Sequence, residues 1–197
     1  MVEQASKDER MTVDAFLEWD DGTDTRYELI DGRVVAMNPP TAPHAALLTA
    51  LGAALLARVP RGCRVYTGGG ARNLADDWNF RVPDVVVSCT RSEKNWIESP
   101  VLVCEILSPS TARLDVTTKL DFYRALPIVQ EILVLRTTKR HVTLWRRADP
   151  QWIVEDFIGS ALVPLAATEQ PMPLDEVYAP LDVDDEGETA ANPTDPT

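Results

Sequence analysis

Basic charge is what this chain is shortest of: 19 Lys and Arg stand against 31 Asp and Glu, a formal net charge of −12 over 197 residues. A molecule of that sign repels anions as a whole, which excludes a general electrostatic binder of nucleic acid. Cysteine is scarce too. Cys63, Cys89 and Cys104 make an odd number, each in or beside a β-branched run and none in a CxxC spacing, so they read as reduced, buried thiols of a cytoplasmic protein. Long apolar runs are missing: Ala45 to Ala57 is the longest uncharged one, short of the roughly 20 residues that cross a bilayer. The opening MVEQASKDER has no apolar signal core, so neither secretion nor membrane insertion is indicated. The glycines Gly68 to Gly70 are followed by no Lys-Ser or Lys-Thr and open no helix, which excludes a P-loop. His141 lies far from any Cys or acid at ligand spacing, which argues against a zinc site.

What is present is ordinary globular composition, 45% apolar and 25% charged, enough for one core. Residues 1–10 are polar and aperiodic and read as disordered. The segment 181–197 holds Asp182, Asp184, Asp185, Glu186, Glu188 and Asp195 with no Lys or Arg, an acidic tail read as disordered. These six charges are half of the net excess, so the body from 11 to 180 is only mildly acidic.

Periodicity outlines that body. TVDAFLEW from Thr12 is a short capped helix, and RYELIDGRVVAM is a hairpin turning at Asp31-Gly32. Pro43 opens a helix carrying Leu47, Leu51 and Leu55 on one stripe, with Leu48 and Leu56 beside it, nearly apolar all round and therefore buried. Cys63 to Cys89 and PVLVCEIL read as three strands, divided by the glycine turn and a polar loop from Thr90 to Ser99. A second helix, capped by Thr111 or Asp115, runs to about Leu126. EILVLRTTKRHVTLWRRADPQWIVEDF is an antiparallel meander of three strands. The order of elements predicts α/β architecture, a mixed β-sheet flanked by helices.

Two carboxylates occupy strands that otherwise read as buried. Asp84 follows Pro83 and precedes three valines; Glu105 interrupts PVLVCEIL. A buried, unpaired carboxylate costs several kcal/mol or shifts its pKa, so each needs a partner or a task. A bland role remains open for each: a strand-end acid facing solvent, or an ion pair with Arg72, Arg81 or Arg113. If the strands are neighbours, both acids project at one end of the sheet, where two hard oxygen donors suit Mg²⁺. Lys139, Arg140, Arg146 and Arg147, near Trp145 and Trp152, form a basic cluster that reads either as a nucleic-acid track or, more simply, as a solvated hairpin face.

Taken together, RYELIDG, PPTAPH, RVPDVVV, CEILSPST and TTKLDFYRA, in order from about Thr12 to Tyr178, resemble the Uma-two family of restriction-endonuclease-like proteins in the PD-(D/E)xK nuclease superfamily. The resemblance implies a restriction-endonuclease-like core in which Asp84 and Glu105 bind metal, and it implies a Mg²⁺- or Mn²⁺-dependent endonuclease acting on nucleic acid, DNA foremost. The superfamily's lysine, two residues after the second acid, is here Leu107. Lys119 on the following helix is the candidate replacement, against the simpler reading of an Asp115–Lys119 surface pair. Glu28 is either a third acid in the same cavity or an exposed hairpin acid. His44 is either a phosphate contact or proton shuttle, or a helix-start cap. Ser108 and Ser110 read as turn formers. The competing functional class is a nuclease-like fold without chemistry, an interaction module assembling as a homodimer, which Leu107 and the acidic body favour.

Overall fold

The computed structural model describes residues 10–108 and 115–183. The expectations for residues 1–9, for Ser110, for the Thr111 cap, for Arg113, for the Asp115 side chain and for 184–197 lie outside the described residues.

The N-terminal layer follows its local signals. α1 (Val13–Glu18) is capped by Thr12, whose hydroxyl accepts from Ala15 N. β1 (Tyr27–Ile30) and β2 (Arg33–Ala36) form the hairpin, and the turn holds Asp31 and Gly32 at φ of 50° and 77°, the left-handed pair that a two-residue hairpin needs. α2 (Ala42–Leu56) has Thr41 as its N-cap, accepting from His44 N, with Pro43 in its first turn. Leu47, Leu51, Ala54 and Leu55 are fully buried on one stripe, but Leu56 is 65% exposed. The helix is therefore apolar in composition all round yet buried on one side only.

Between Cys63 and Leu107 the chain makes five strands rather than the three expected. β3 (Arg64–Thr67), β6 (Val85–Ser88) and β7 (Pro100–Leu107) belong to the main sheet, while β4 (Ala71–Arg72) and β5 (Phe80–Arg81) join the hairpin in a second sheet of order β2-β1-β5-β4. Two-residue strands carry no readable period. The glycine turn is a packing device: a Cβ on Gly70 would stand 2.0 Å from the Phe80 ring.

α3 (Asp115–Arg124) crosses from β7 to β8 (Glu131–Arg136), which pair in parallel. β9 (His141–Ala148) and β10 (Gln151–Ile158) complete the expected meander. The six-stranded order is β10-β9-β8-β7-β6-β3, antiparallel except at β7–β8. Alternation splits β7 between two layers. Leu102, Cys104 and Ile106 pack toward α2 and α4 (Leu174–Tyr178); Val103 and Leu107 pack toward α3. β11 (Leu162–Val163) and β12 (Met172–Pro173) form a small ribbon beside the first layer. Leu181 and Val183 also rest against that core, so the packed body reaches past residue 180. No helix among the described residues is long and apolar enough to cross a membrane.

The expected thiol state is corrected. The β3–β6 register pairs Arg64 with Ser88, which carries Cys63 to a position opposite Cys89, and the two form a disulfide. Cys104 alone is free and buried, and burial pushes its thiol pKa well above the usual value. The cytoplasmic assignment drawn from three reduced thiols loses that support.

Candidate active site

Register places the two strand acids. Val85 pairs with Cys104 in the antiparallel β6–β7 ladder, so Asp84, one residue before β6, faces Glu105 on β7. The Asp84 carboxylate spans the ends of both layers. Its Oδ2 accepts from Ile106 N at 2.7 Å, and its Oδ1 lies 3.0 Å from His44 Nε2. His44 reaches it because the Thr41 cap fixes the first turn of α2 over this end of the sheet.

Glu105 projects from the face of β7 that lies under α3. The Tyr123 hydroxyl donates to its Oε1 at 2.5 Å, and Lys119 Nζ lies 3.2 Å from its Oε2. These two α3 residues are four apart and share a helix face. Lys119 Nζ is also 3.5 Å from Glu28 Oε1. Glu28 is buried: the β1–β5 pairing of Leu29 with Phe80 brings it Val82 N at 2.9 Å and Arg81 Nη1 at 3.4 Å.

All five expected residues, Glu28, His44, Asp84, Glu105 and Lys119, line one cleft of about 660 Å³. Glu28 is the cavity acid rather than an exposed one, and His44 is not the cap, which is Thr41, but a partner of Asp84. Ser108 stands at the cleft wall. Leu107 also borders it but is 8% exposed and belongs to the core under α3. Two residues take parts that sequence reasoning did not give them. Tyr123 had only its spacing from Lys119 to signal it, and Arg81, weighed as a partner for Asp84 or Glu105, pairs with Glu28. Arg72 goes to Asp14 and Asp77 instead.

Electrostatics set the cluster's protonation. Burial raises the Glu105 carboxyl to about 7, with Lys119 opposing it and Asp84 adding to it. The hydrogen bond to Asp84 raises the His44 imidazole above its ordinary value. Burial and the neighbouring Glu105 push the Tyr123 phenol well above 10, so it stays a donor. Three carboxylates thus face two fixed cations, Lys119 and Arg81.

The donor chemistry suits a hard divalent cation. Among the described residues no three His, Cys, Asp or Glu side chains converge into a closed cage. Mg²⁺, however, commonly takes only one or two carboxylates, with water and substrate phosphate for the rest. Asp84 and Glu105 supply that pair, and a cation there would favour the ionised Glu105 that burial disfavours.

The arginines of the β8–β9 turn and of β9 are committed elsewhere. Arg146 pairs with Glu131 and Glu155; Arg147 donates to the carbonyls of Arg124, Leu126 and Val129 and stacks on Trp152; Arg140 pairs with Asp175. Glu131, a buried strand acid that sequence reasoning passed over, is satisfied by Arg146 and Ala166 N. His141 Nε2 lies 2.8 Å from Asp156.

Comparison with known proteins gives concordant results. The Uma2 family model, described as "Putative restriction endonuclease", matches residues 13–175. Two uncharacterized proteins of Synechocystis sp. (strain ATCC 27184 / PCC 6803 / Kazusa), slr1290 and sll1609, are each 24% identical, over 177 and 156 residues. They cover 87% and 76% of this chain and 93% and 88% of their own. A crystal structure from Anabaena variabilis ATCC 29413, described as "a putative nuclease belonging to DUF820", superposes with a TM-score of 0.70 at 24% identity, over 86% of this chain and 98% of that one. At that identity the likeness is one of fold: a mixed sheet with flanking helices.

Proposed function

We propose, from the premise that the chain belongs to the Uma2 family, that it is a metal-dependent endonuclease hydrolysing phosphodiester bonds in DNA, with Mg²⁺ or Mn²⁺ as its ion. Asp84 and Glu105 are the residues that hold the ion. When bound, the ion supplies Lewis acidity at a phosphoryl oxygen and makes a water more acidic. Everything else falls to side chains. Tyr123 and Lys119 each hold one oxygen of Glu105, which keeps the carboxylate in one orientation. Lys119 presents an ammonium to the charge that develops on phosphate, the part left vacant by Leu107. His44, tied through Nε2 to Asp84, which raises its imidazole pKa, is the acid that gives a proton from Nδ1 to the departing oxygen.

The observation that carries the reading is Lys119 Nζ, 3.2 Å from Glu105 and 3.5 Å from Glu28. A lysine pointing into solvent would have favoured the non-catalytic homodimer module, and that module keeps only the acidic net charge in its favour. The test is nicking of supercoiled plasmid and cleavage of single-stranded DNA by the purified protein in Mg²⁺ or Mn²⁺, beside Asp84→Ala. Activity that needs the ion and is lost in the variant supports hydrolysis at this site. Failure to cut either DNA sinks it, and equal cutting by Asp84→Ala removes the site.

A further inference from the structure

The acid cluster lies on the floor of its cleft. Side-chain exposure is 9% at Glu105 and 7% at Glu28, so a phosphodiester has to enter to reach them. The wall above is apolar. In the hairpin, Glu28 pairs with Val35, which puts both on one face, with Ile30 and Met37 alongside. Val35 is 41% exposed, an apolar side chain open to solvent inside a cleft and next to a buried carboxylate. That juxtaposition fits a ligand with an anionic part and a flat apolar part, and about 660 Å³ is the size of a small-molecule site.

Charge narrows the ligand further. A duplex is held mainly by many Lys and Arg contacts to phosphate, whereas this chain carries −12 and its β9 arginines are engaged internally. Among the described residues, the Lys and Arg side chains lining the cleft are Arg26 and Lys119. Resting on the nuclease reading, we infer that the cleft takes an unpaired DNA strand, with the base of one nucleotide against Ile30, Val35 and Met37 and its phosphate at Lys119. Inside a duplex both faces of a base are covered by stacking and its edge is paired, and exposing it costs a few kcal/mol. An unpaired nucleotide offers its flat face without that cost, and its flexible backbone lets the phosphate descend to the floor.

The test uses the full chain with Ca²⁺, a hard oxygen-seeking ion, and fluorescence anisotropy of a labelled oligonucleotide, either single-stranded or as a blunt duplex of the same sequence. The strand should bind at least about tenfold tighter. Two phosphates contacted on a single strand should give a log–log salt slope of about −1.4. Val35→Asp, a change at an exposed position, should cost the strand about tenfold in affinity and leave the duplex unchanged, and Val35→Ser should do the same in milder form. Parallel digestion of both oligonucleotides in Mg²⁺ separates the two readings. Strand preference without cleavage keeps this inference and sinks hydrolysis. Duplex cut as fast as the strand overturns the inference and keeps the nuclease. Equal or tighter duplex binding also overturns it, as does binding of neither, and the Mg²⁺ digestion alone then decides the nuclease.

Discussion

Raising the pH from about 5 to about 8 should destabilise the metal-free protein, and the size of the effect follows from Glu105. Burial carries its carboxyl from 4.5 to about 7. At about 1.4 kcal/mol for each tenfold change in proton affinity, that is about 3 kcal/mol of stability bound up with the protonated form. Because the folded pKa is the higher one, this stability is fully present below 4.5 and is lost as pH rises through about 7. His44 acts in the same direction, since its folded pKa is raised by Asp84 and its share too is lost as pH rises above the ordinary imidazole value. Asp21, Asp156 and Glu176 are held below their ordinary values by hydrogen bonds to Tyr27, Thr143 and Arg58. Their stability is present above those ordinary values and is lost only as pH falls below about 4, outside the window. Urea denaturation in EDTA at several pH values is the assay, and about 3 kcal/mol translates into a fall in Tm of about 6–12 °C for a chain of this length. Glu105→Gln should remove most of the slope. Proton and cation compete for the same oxygens, so apparent Mg²⁺ affinity should climb with pH up to about 7 and then level off. Stability that is flat or rising between pH 5 and 8, or a slope that survives in Glu105→Gln, would refute the buried-acid reasoning.

Lys119→Met should stay folded, because Glu105 keeps Tyr123 and can take up a proton while Glu28 keeps Arg81 and Val82 N. Turnover should fall by about 10² to 10³, and wild-type cleavage by the variant would remove Lys119 from the mechanism. Truncation after Val183 should leave Tm unchanged. Truncation after Pro180 should lower it by a few degrees, since Leu181 and Val183 pack on the core and their burial contributes about 1 kcal/mol each; equal Tm values for the two truncations would contradict that packing. Reduction of the Cys63–Cys89 bond, which closes a loop of 26 residues, should cost about 3.5 kcal/mol on the chain-entropy account, measured by denaturation with and without dithiothreitol and compared with Cys63→Ser. A protein equally stable when reduced would show that the strand pairing holds without the bond.

What was legible in the sequence was local. Leu47, Leu51 and Leu55 mark the buried stripe of α2, and Asp31-Gly32 marks the turn of the β1–β2 hairpin, because each signal lies within a few residues. The disulfide was invisible for the opposite reason: Cys63 and Cys89 meet only through the β3–β6 register, which no spacing within either strand encodes. Glu28 was undecidable between cavity and surface for the same cause. Its environment is made by Leu29 pairing with Phe80 on a two-residue strand, which then delivers Val82 N and Arg81.

Leu107 shows how the core and the site compete for one position. Residue 107 shares with Glu105 the face of β7 that lies under α3, and Leu107 there is 8% exposed among Leu120, Tyr123 and Val134. A lysine at 107 would have to run its ammonium through that apolar layer or strip it of water, and an isolated buried charge is costly. From α3 the geometry is different: Lys119 lies one turn before Tyr123, so its long stem follows the helix surface and its ammonium emerges between Glu105 and Glu28, two carboxylates that satisfy it. Moving the cation from strand to helix keeps the core apolar and the cleft charged. The exchange is available only because the β7–α3–β8 crossover packs α3 directly over the strand that carries the acid. A leucine at 107 therefore does not by itself decide against the proposed hydrolysis, because Lys119 brings an ammonium to Glu105 from the helix. The prediction specific to this arrangement is that Leu107→Lys fails to rescue Lys119→Met and itself lowers Tm, while rescue by Leu107→Lys would mean that position 107 still reaches the phosphate.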